Sequence, residues 1–292
     1  MFPAEIRQYL EYWLIDEISP LTEIVSFIPE GGGSINQAFR LETSSGAYFI
    51  KYNSADRYPG MFECEAKGLN ILRETGCIQI PVILKHALIG KFGFLMLSYI
   101  HTSQPEKNFW QLFGQQIAAL HRKSSPFFGL EHDNYIGSLR QVNTPHVSWF
   151  EFLITNRLEP QLQLAMDSGK LNSRDARQFN CFYKKLTEII PDEAPALLHG
   201  DLWSGNYMVG DDGLPCIYDP AVYYGHRETD IAMTRLFGGF PDLFYDAYQE
   251  AFPMEIGWKS RIIYHQLYPL LVHVNLFGSS YISQVRQITG RF

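Results

Sequence analysis

The sequence predicts an α+β protein in two lobes: residues 1–100 with an antiparallel sheet and one main helix, and residues 101–292, larger and mainly helical. Three observations carry this reading. Between residues 24 and 100, strand-like runs alternate with glycine turns. Beyond 101, apolar residues recur at helical spacing. The polar stretch HTSQPEKN at 101–108 separates the two regimes. With 46% hydrophobic and 15% aromatic residues, the chain has enough apolar surface for a packed core.

The elements follow in order. Ile6, Leu10, Trp13, Leu14 and Ile18 predict a first helix over 4–18. After Pro20 come a strand at Ile24 to Ile28, the turn GGGSINQ, the strand AFRLET, a Ser-Ser-Gly turn, and a strand ending near Lys51. MFECEAKGLNILRET, 61–75, carries Phe62, Ala66, Leu69 and Leu72 on one face, with Gly76 past its end. IQIPVILKHALIG and KFGFLMLSYI read as two further strands. Helices are expected over 109–122, over 148–166 with a break or kink at Pro160, over 173–190, over 229–252 in one or two pieces, and over 259–277.

A formal net charge of -7 disfavours nucleic acid as the main partner, since phosphate backbones demand a basic surface. Cys64, Cys77, Cys181 and Cys216 are too widely spaced for a zinc knuckle or a disulfide framework. The N-terminus lacks the basic and apolar regions of a secretory signal. The longest apolar runs, such as FGFLMLSYI, reach about half of the roughly 20 residues a membrane span needs. A cytoplasmic protein with no membrane partner is expected.

The stretch LHGDLWSGN at 198–206 carries the chemistry. Phosphoryl transfer asks a protein to place a hydroxyl beside an Asp, hold Mg²⁺ on the triphosphate of ATP and cover the phosphates. The kinase catalytic loop places a base Asp five residues before a metal-binding Asn. Asp201 and Asn206 have that spacing, with His199 two before the Asp. A hairpin turning at Asp211-Asp212-Gly213 would return Asp219 beside Asn206 as the second metal ligand. Any one of these acids alone is more often a cap or turn residue; the combination at this spacing is what carries weight.

This reading requires a strand lysine, a helix carboxylate to orient it and a glycine turn over the phosphates. Lys51 ends the strand AYFIK, and Glu65 lies on the 61–75 helix one turn before Leu69, inward of its competitor Glu63. Gly32, Gly33 and Ser34 lie in the turn between the first strands. By position, the backbone of Ser98, Tyr99 and Ile100 is expected to meet the adenine edge. Pro220-Ala221 follows Asp219, so a mobile activation segment is not expected.

GGGSINQAFRLET, YFIKYN, MFECEAKGLNILRETG, NYIGSL, LLHGDLWSGN, IYDPAVYYGHRETDIAM and LFGGF resemble the fructosamine (ketosamine) kinases, a family of the protein-kinase-like fold shared with aminoglycoside and choline phosphotransferases. The likeness runs from about residue 31 to 240. It implies ATP-dependent phosphorylation of a sugar hydroxyl, usually O3, on a ketoamine: a small fructosamine or ribulosamine, or a glycated lysine. It also implies Asp201 as base, Asn206 and Asp219 as Mg²⁺ ligands, Lys51 as the phosphate-binding lysine and Glu65 as its partner. Trp203 is a candidate sugar or amine contact, with a core role equally open. His226 and Glu228 are candidate substrate contacts, and with Arg227 and Asp230 they stay open between substrate contact and structural ion pairing. The glycine turn lacks the cysteine that permits redox control in some members, and Ser98 stands where a Glu is expected. The alternative acceptor class is an aminoglycoside or choline-like amine. A non-catalytic module would have lost one of Lys51, Asp201, Asn206 and Asp219, and a metallohydrolase would leave Lys51 without a role.

Overall fold

The computed structural model describes residues 2–31 and 35–292. The N-terminal lobe contains α1 (Ala4–Glu17), β1 (Ile24–Glu30), β2 (Gln37–Thr43), β3 (Gly46–Ser54), α2 (Met61–Glu74), β4 (Ile83–Ile89) and β5 (Phe92–Ser98). The strands form one antiparallel sheet in the order β1-β2-β3-β5-β4. Its two faces explain why β5 is apolar throughout. Phe94 and Met96 pack with Ile6, Leu10 and Leu14 of α1, whereas Leu95 and Leu97 pack with Phe62, Ala66 and Leu69 of α2. Alternation across a strand covered on both sides demands hydrophobic residues at every position.

The second lobe continues through α3 (Phe109–His121), the hairpin β6 (Asn134–Ile136) and β7 (Leu139–Gln141), α4 (Trp149–Phe152), a π-helical stretch (Leu153–Leu158), α5 (Glu159–Asp167), α6 (Ser173–Tyr183) and α7 (Leu186–Ile189). Then come β8 (Ala196–Leu198), the hairpin β9 (Tyr207–Val209) and β10 (Pro215–Ile217), β11 (Tyr223–Gly225), α8 (Glu228–Leu236), α9 (Asp242–Ala251), α10 (Trp258–His265), α11 (Leu267–Phe277) and α12 (Ile282–Thr289). The inner face of α2 also packs on Phe109, Phe113, Leu202 and Val222, so one apolar cluster joins the lobes. Gly68 of α2 permits this approach, since a Cβ there would lie 3.2 Å from Val222.

Several expectations are corrected. The break expected at Pro160 takes the form of the π-helical stretch before it, leaving Pro160 in the first turn of α5, where its missing N–H is not needed. The single helix expected over 259–277 is two, α10 and α11. Pro269 cannot donate to the carbonyl of His265, four residues back, and the chain breaks there. The helix expected over 173–190 ends at Tyr183, and α12 and the β6–β7 hairpin were not anticipated. No helix among the described residues is long and apolar enough to cross a membrane.

Candidate active site

With Ile50 buried on the α1 face of β3, Lys51 must point to the α2 face, where it is 3% exposed. Glu65 lies on α2 between the buried Phe62 and Leu69, facing the same way. Lys51 Nζ is 2.7 Å from Glu65 Oε1, whereas Glu63 is exposed and pairs with Lys67 at 2.7 Å. From the other lobe, Asp219 forms a second ion pair with Lys51. Two carboxylates sharing one ammonium are driven apart in acidity. Burial pushes Glu65 up to about 7 despite Lys51, while the partial desolvation of Asp219, which stays half open to the cleft, is more than offset by Lys51, which holds it below its ordinary value.

The β9–β10 hairpin returns the chain as the Asp-Asp-Gly turn predicts: Ile217 pairs with Tyr207, and the Tyr218 N–H donates to the Asn206 carbonyl at 3.1 Å. Asp219 then stands at φ 54°, the one non-glycine with left-handed backbone among the described residues. Such a backbone costs an L-residue roughly 1–2 kcal/mol and clusters at functional sites.

The loop after β8 is tied down from below. Asp230 of α8 accepts the His199 N–H at 2.7 Å and the Gly200 N–H at 2.9 Å, and its Oδ2 lies 3.2 Å from His121 Nε2. His121 Nδ1 lies 2.8 Å from the Tyr248 hydroxyl. His199 Nδ1 accepts the Asp201 N–H at 3.3 Å, so its Nε2–H donates to the Tyr218 carbonyl at 3.0 Å, linking the loop to the residue before Asp219. Gly200, at φ 83°, is irreplaceable here, because a Cβ would run into the Ala221 carbonyl.

Asn206 Nδ2 donates to the Asp201 carbonyl at 2.8 Å and to its Oδ2 at 2.9 Å. The Asn206 amide oxygen is therefore left without a protein partner among the described residues. That oxygen and the Asp219 carboxylate, whose side chain is 49% exposed, form the oxygen donor set that suits a hard divalent cation. Burial pushes Asp201 up to about 7; the Asn206 hydrogen bond offsets part of this, and Asp219 and Asp230 add to it.

Lys51, Glu65, Asp201, Asn206 and Asp219 all line one cleft of about 220 Å³. Trp203 lines it too, its ring 5.8 Å from that of Phe237. Ser98, Tyr99 and Ile100 stand outside it, and among the described residues the Tyr99 and Ile100 N–H groups make no hydrogen bond to protein. Gly32, Gly33 and Ser34 lie outside the described residues, although Ile35 and Asn36 beyond them line the cleft.

His226 and Glu228 are not brought to the cleft, which corrects their reading as candidate substrate contacts. Both are fully buried. Glu228 receives Arg261 through bonds of 2.5 to 3.1 Å, and His265 Nε2 lies 3.4 Å away. The three groups His226, Glu228 and His265 lie close enough to share a cation, but Arg261 already supplies the positive charge on Glu228. Sequence reasoning missed the far wall: Asn134 to Gly137 of the β6–β7 hairpin, and Tyr268, His273 and Leu276 of α11. NYIGSL was noticed only as part of a resemblance, because three-residue strands carry no readable periodicity.

A buried strand lysine paired to a helix glutamate, facing a loop that presents Asp and Asn and a metal-competent Asp, defines an ATP-dependent phosphotransferase of the protein-kinase-like fold. The family model described as fructosamine kinase matches residues 8–292, and the chain belongs to that family. The chain is 39% identical over 267 residues to a probable ketoamine kinase of Enterococcus faecium, covering 91% of this chain and 94% of the relative. It is 37% identical over 288 residues to the chloroplastic protein-ribulosamine 3-kinase of Arabidopsis thaliana, covering 94% and 85%. The crystal structure of a candidate fructosamine-3-kinase from Haemophilus somnus superposes with a TM-score of 0.87 at 28% identity, covering 97% of this chain and 96% of that one.

Proposed function

We propose that this protein transfers the γ-phosphoryl group of Mg-ATP to a sugar hydroxyl, O3, of a ketoamine such as a fructosamine or ribulosamine, free or on a glycated lysine, as a deglycation-type repair. The observation that carries this is the convergence of Lys51, Asp201, Asn206 and Asp219 on one cleft. Asp201 takes the proton of the attacking hydroxyl as its oxygen bonds to the γ-phosphorus and the bond to the bridging oxygen breaks, releasing ADP. A carboxylate raised toward 7 is well matched to that proton. Asn206 orients Asp201 with its amide nitrogen and, with Asp219, holds Mg²⁺, which when bound neutralises charge on the phosphate oxygens. Glu65 keeps Lys51 aimed at the phosphates, and Tyr99 and Ile100 offer backbone groups to adenine. Trp203 packs against the sugar. The lobes meet at about residue 101, and the setting is cytoplasmic, in keeping with the four free cysteines.

The cleft favours a ketoamine over an aminoglycoside. Among the described residues its only carboxylates are Glu65, Asp201 and Asp219, each already assigned to catalysis, and its outer wall is made of Ile35, Trp203, Val272, Leu276 and Phe277. A polycation would find no spare anion there. Coupled ADP release with Mg-ATP against ribuloselysine, fructoselysine, an aminoglycoside, choline and no acceptor tests the reading. Ketoamine-dependent turnover is expected; turnover on the aminoglycoside or choline alone refutes it.

A further inference from the structure

Arg157 is a fully buried cation whose hydrogen-bond partners among the described residues are all neutral oxygens and include no carboxylate. It projects from the π-helical stretch into three aromatic faces, its guanidinium carbon 4.0 Å from the ring centre of Tyr223, 4.5 Å from Phe152 and 5.4 Å from Tyr268. Desolvating an unpaired charge costs several kcal/mol, and cation–π contacts return only part of that. An apolar side chain of similar volume would fill the same space without the cost. What it could not do is donate.

A guanidinium has five N–H donors and no acceptor. Arg157 Nη1 donates to the Val142 carbonyl at 2.6 Å, and Nη2 donates to Asn143 Oδ1 at 2.7 Å. The Asn143 amide is held in one orientation by this bond together with the His132 carbonyl, to which its nitrogen donates at 3.1 Å, and the same nitrogen donates to Asn134 Oδ1 at 3.1 Å. Asn134 Oδ1 also accepts from Gln141 Nε2 at 2.8 Å, so the Asn134 nitrogen must turn to the Val222 carbonyl, 2.8 Å away. Gln141 completes the set, reaching the Ala221 carbonyl at 3.2 Å and accepting the Tyr268 hydroxyl at 2.7 Å.

Every link in this chain has a direction: Arg157, which can only donate, fixes it at one end, and the His132, Val222 and Ala221 carbonyls, which can only accept, hold it along the way. Its far end is functional ground: Asn134 and Tyr268 line the cleft, and the Ala221 N–H donates to the His199 carbonyl of the catalytic loop at 2.9 Å.

We propose that Arg157 is a positioning residue that sets the amide orientation of Asn134 through Asn143, and so holds the Asn134–Gly137 wall against which the acceptor is placed beside Asp201. The relay serves the acceptor and not the nucleotide, because among the described residues its side chains make no hydrogen bond to Lys51, Glu65 or Asp219. It rests on the ketoamine reading.

Asn143→Asp separates this relay from a purely structural anchor. The variant has nearly the same size and still accepts from Arg157, but it cannot donate to Asn134 or to the His132 carbonyl. Steady-state ADP release gives KM for the ketoamine and for ATP, together with ATP hydrolysis without acceptor; a thermal melt reports folding. Loss of the buried, directional bond to Asn134 predicts an acceptor KM raised about tenfold. The ATP KM and acceptor-free hydrolysis should stay at wild-type values, and the melting midpoint should fall, because the new carboxylate oxygen faces two acceptors, Asn134 Oδ1 and the His132 carbonyl, even as Arg157 gains a carboxylate. Arg157→Met should raise the acceptor KM similarly, and Arg157→Lys, still donor-only, should recover much of it. An unchanged acceptor KM in Asn143→Asp, or an equal rise in the ATP KM, overturns the relay while the ketoamine reading stands. A wild-type enzyme that does not turn over ketoamines refutes that reading and this one with it.

Discussion

Asp230→Asn tests how the catalytic loop is held. The Asp230 side chain is 1% exposed, and its two oxygens accept the N–H groups of His199 and Gly200, the residues immediately before Asp201. An asparagine offers one oxygen and one NH₂, so one of those backbone donors must face another donor. Hydrogen bonds to a charged group contribute about 1.5–3 kcal/mol each, and stranding a buried donor adds its desolvation, so the loss is on the order of 2–4 kcal/mol. For a chain of this length, where 1 kcal/mol shifts the midpoint by about 2–4 °C, that is a fall of roughly 5–15 °C. A loop free to drift also misplaces Asp201, and kcat should fall about 10- to 100-fold. The ATP KM should change little, because Lys51 and Glu65 are anchored on β3 and α2 in the other lobe. Thermal melting followed by circular dichroism, paired with coupled ADP release, measures both effects. A variant that melts and turns over like wild type would show that the loop is held by other contacts and would refute the argument.

Three further outcomes are expected. Asp201→Asn should bind Mg-ATP nearly as wild type does while turnover falls by at least ~100-fold, as for loss of a general base; wild-type turnover would remove Asp201 from the role proposed for it. Asp219→Ala should abolish the dependence of ATP affinity on Mg²⁺ in titration calorimetry, and an unchanged metal dependence would reject it as a ligand. Acid stability should report the buried cluster beneath the site. Glu228 is buried, which raises it, but His265 and Arg261 hold it down to about 2 against an ordinary 4.5. Its folded value is depressed, so its contribution is fully present above pH 4.5 and is lost as pH falls toward 2. Burial likewise holds His226 down to about 3 against 6.5, so a loss from that group begins below pH 6.5. The Glu228→Gln midpoint should therefore be lower at neutral pH and flatter than wild type between pH 4.5 and 2; a parallel acid limb would contradict the assignment.

Much of the site was legible because its signals are local. The spacing of Asp201 and Asn206 places both on one loop, and the turn at Asp211 to Gly213 brings Asp219 back beside it. Strand alternation puts Ile50 and Lys51 on opposite faces, and helical spacing puts Glu65, not Glu63, on the buried face of α2. His226 and Glu228 misled because they sit beside the motif in sequence, whereas Arg261 and His265, which fix their environment, come from a later helix.

By itself, then, the sequence determined the order of the lobes, the loop that brings Asp201 and Asn206 together and the lysine–glutamate pair, all of which depend on periodicity and short-range spacing. Only the tertiary structure decided the rest. The ion pair of Lys51 with Asp219 crosses 168 positions, the far wall of the cleft joins a three-residue strand to α11, and the buried Arg157 reaches the cleft through amides whose orientation depends on partners from distant segments. Such contacts are set by packing between lobes and by the direction in which hydrogen bonds must point, and neither leaves a local pattern in the chain.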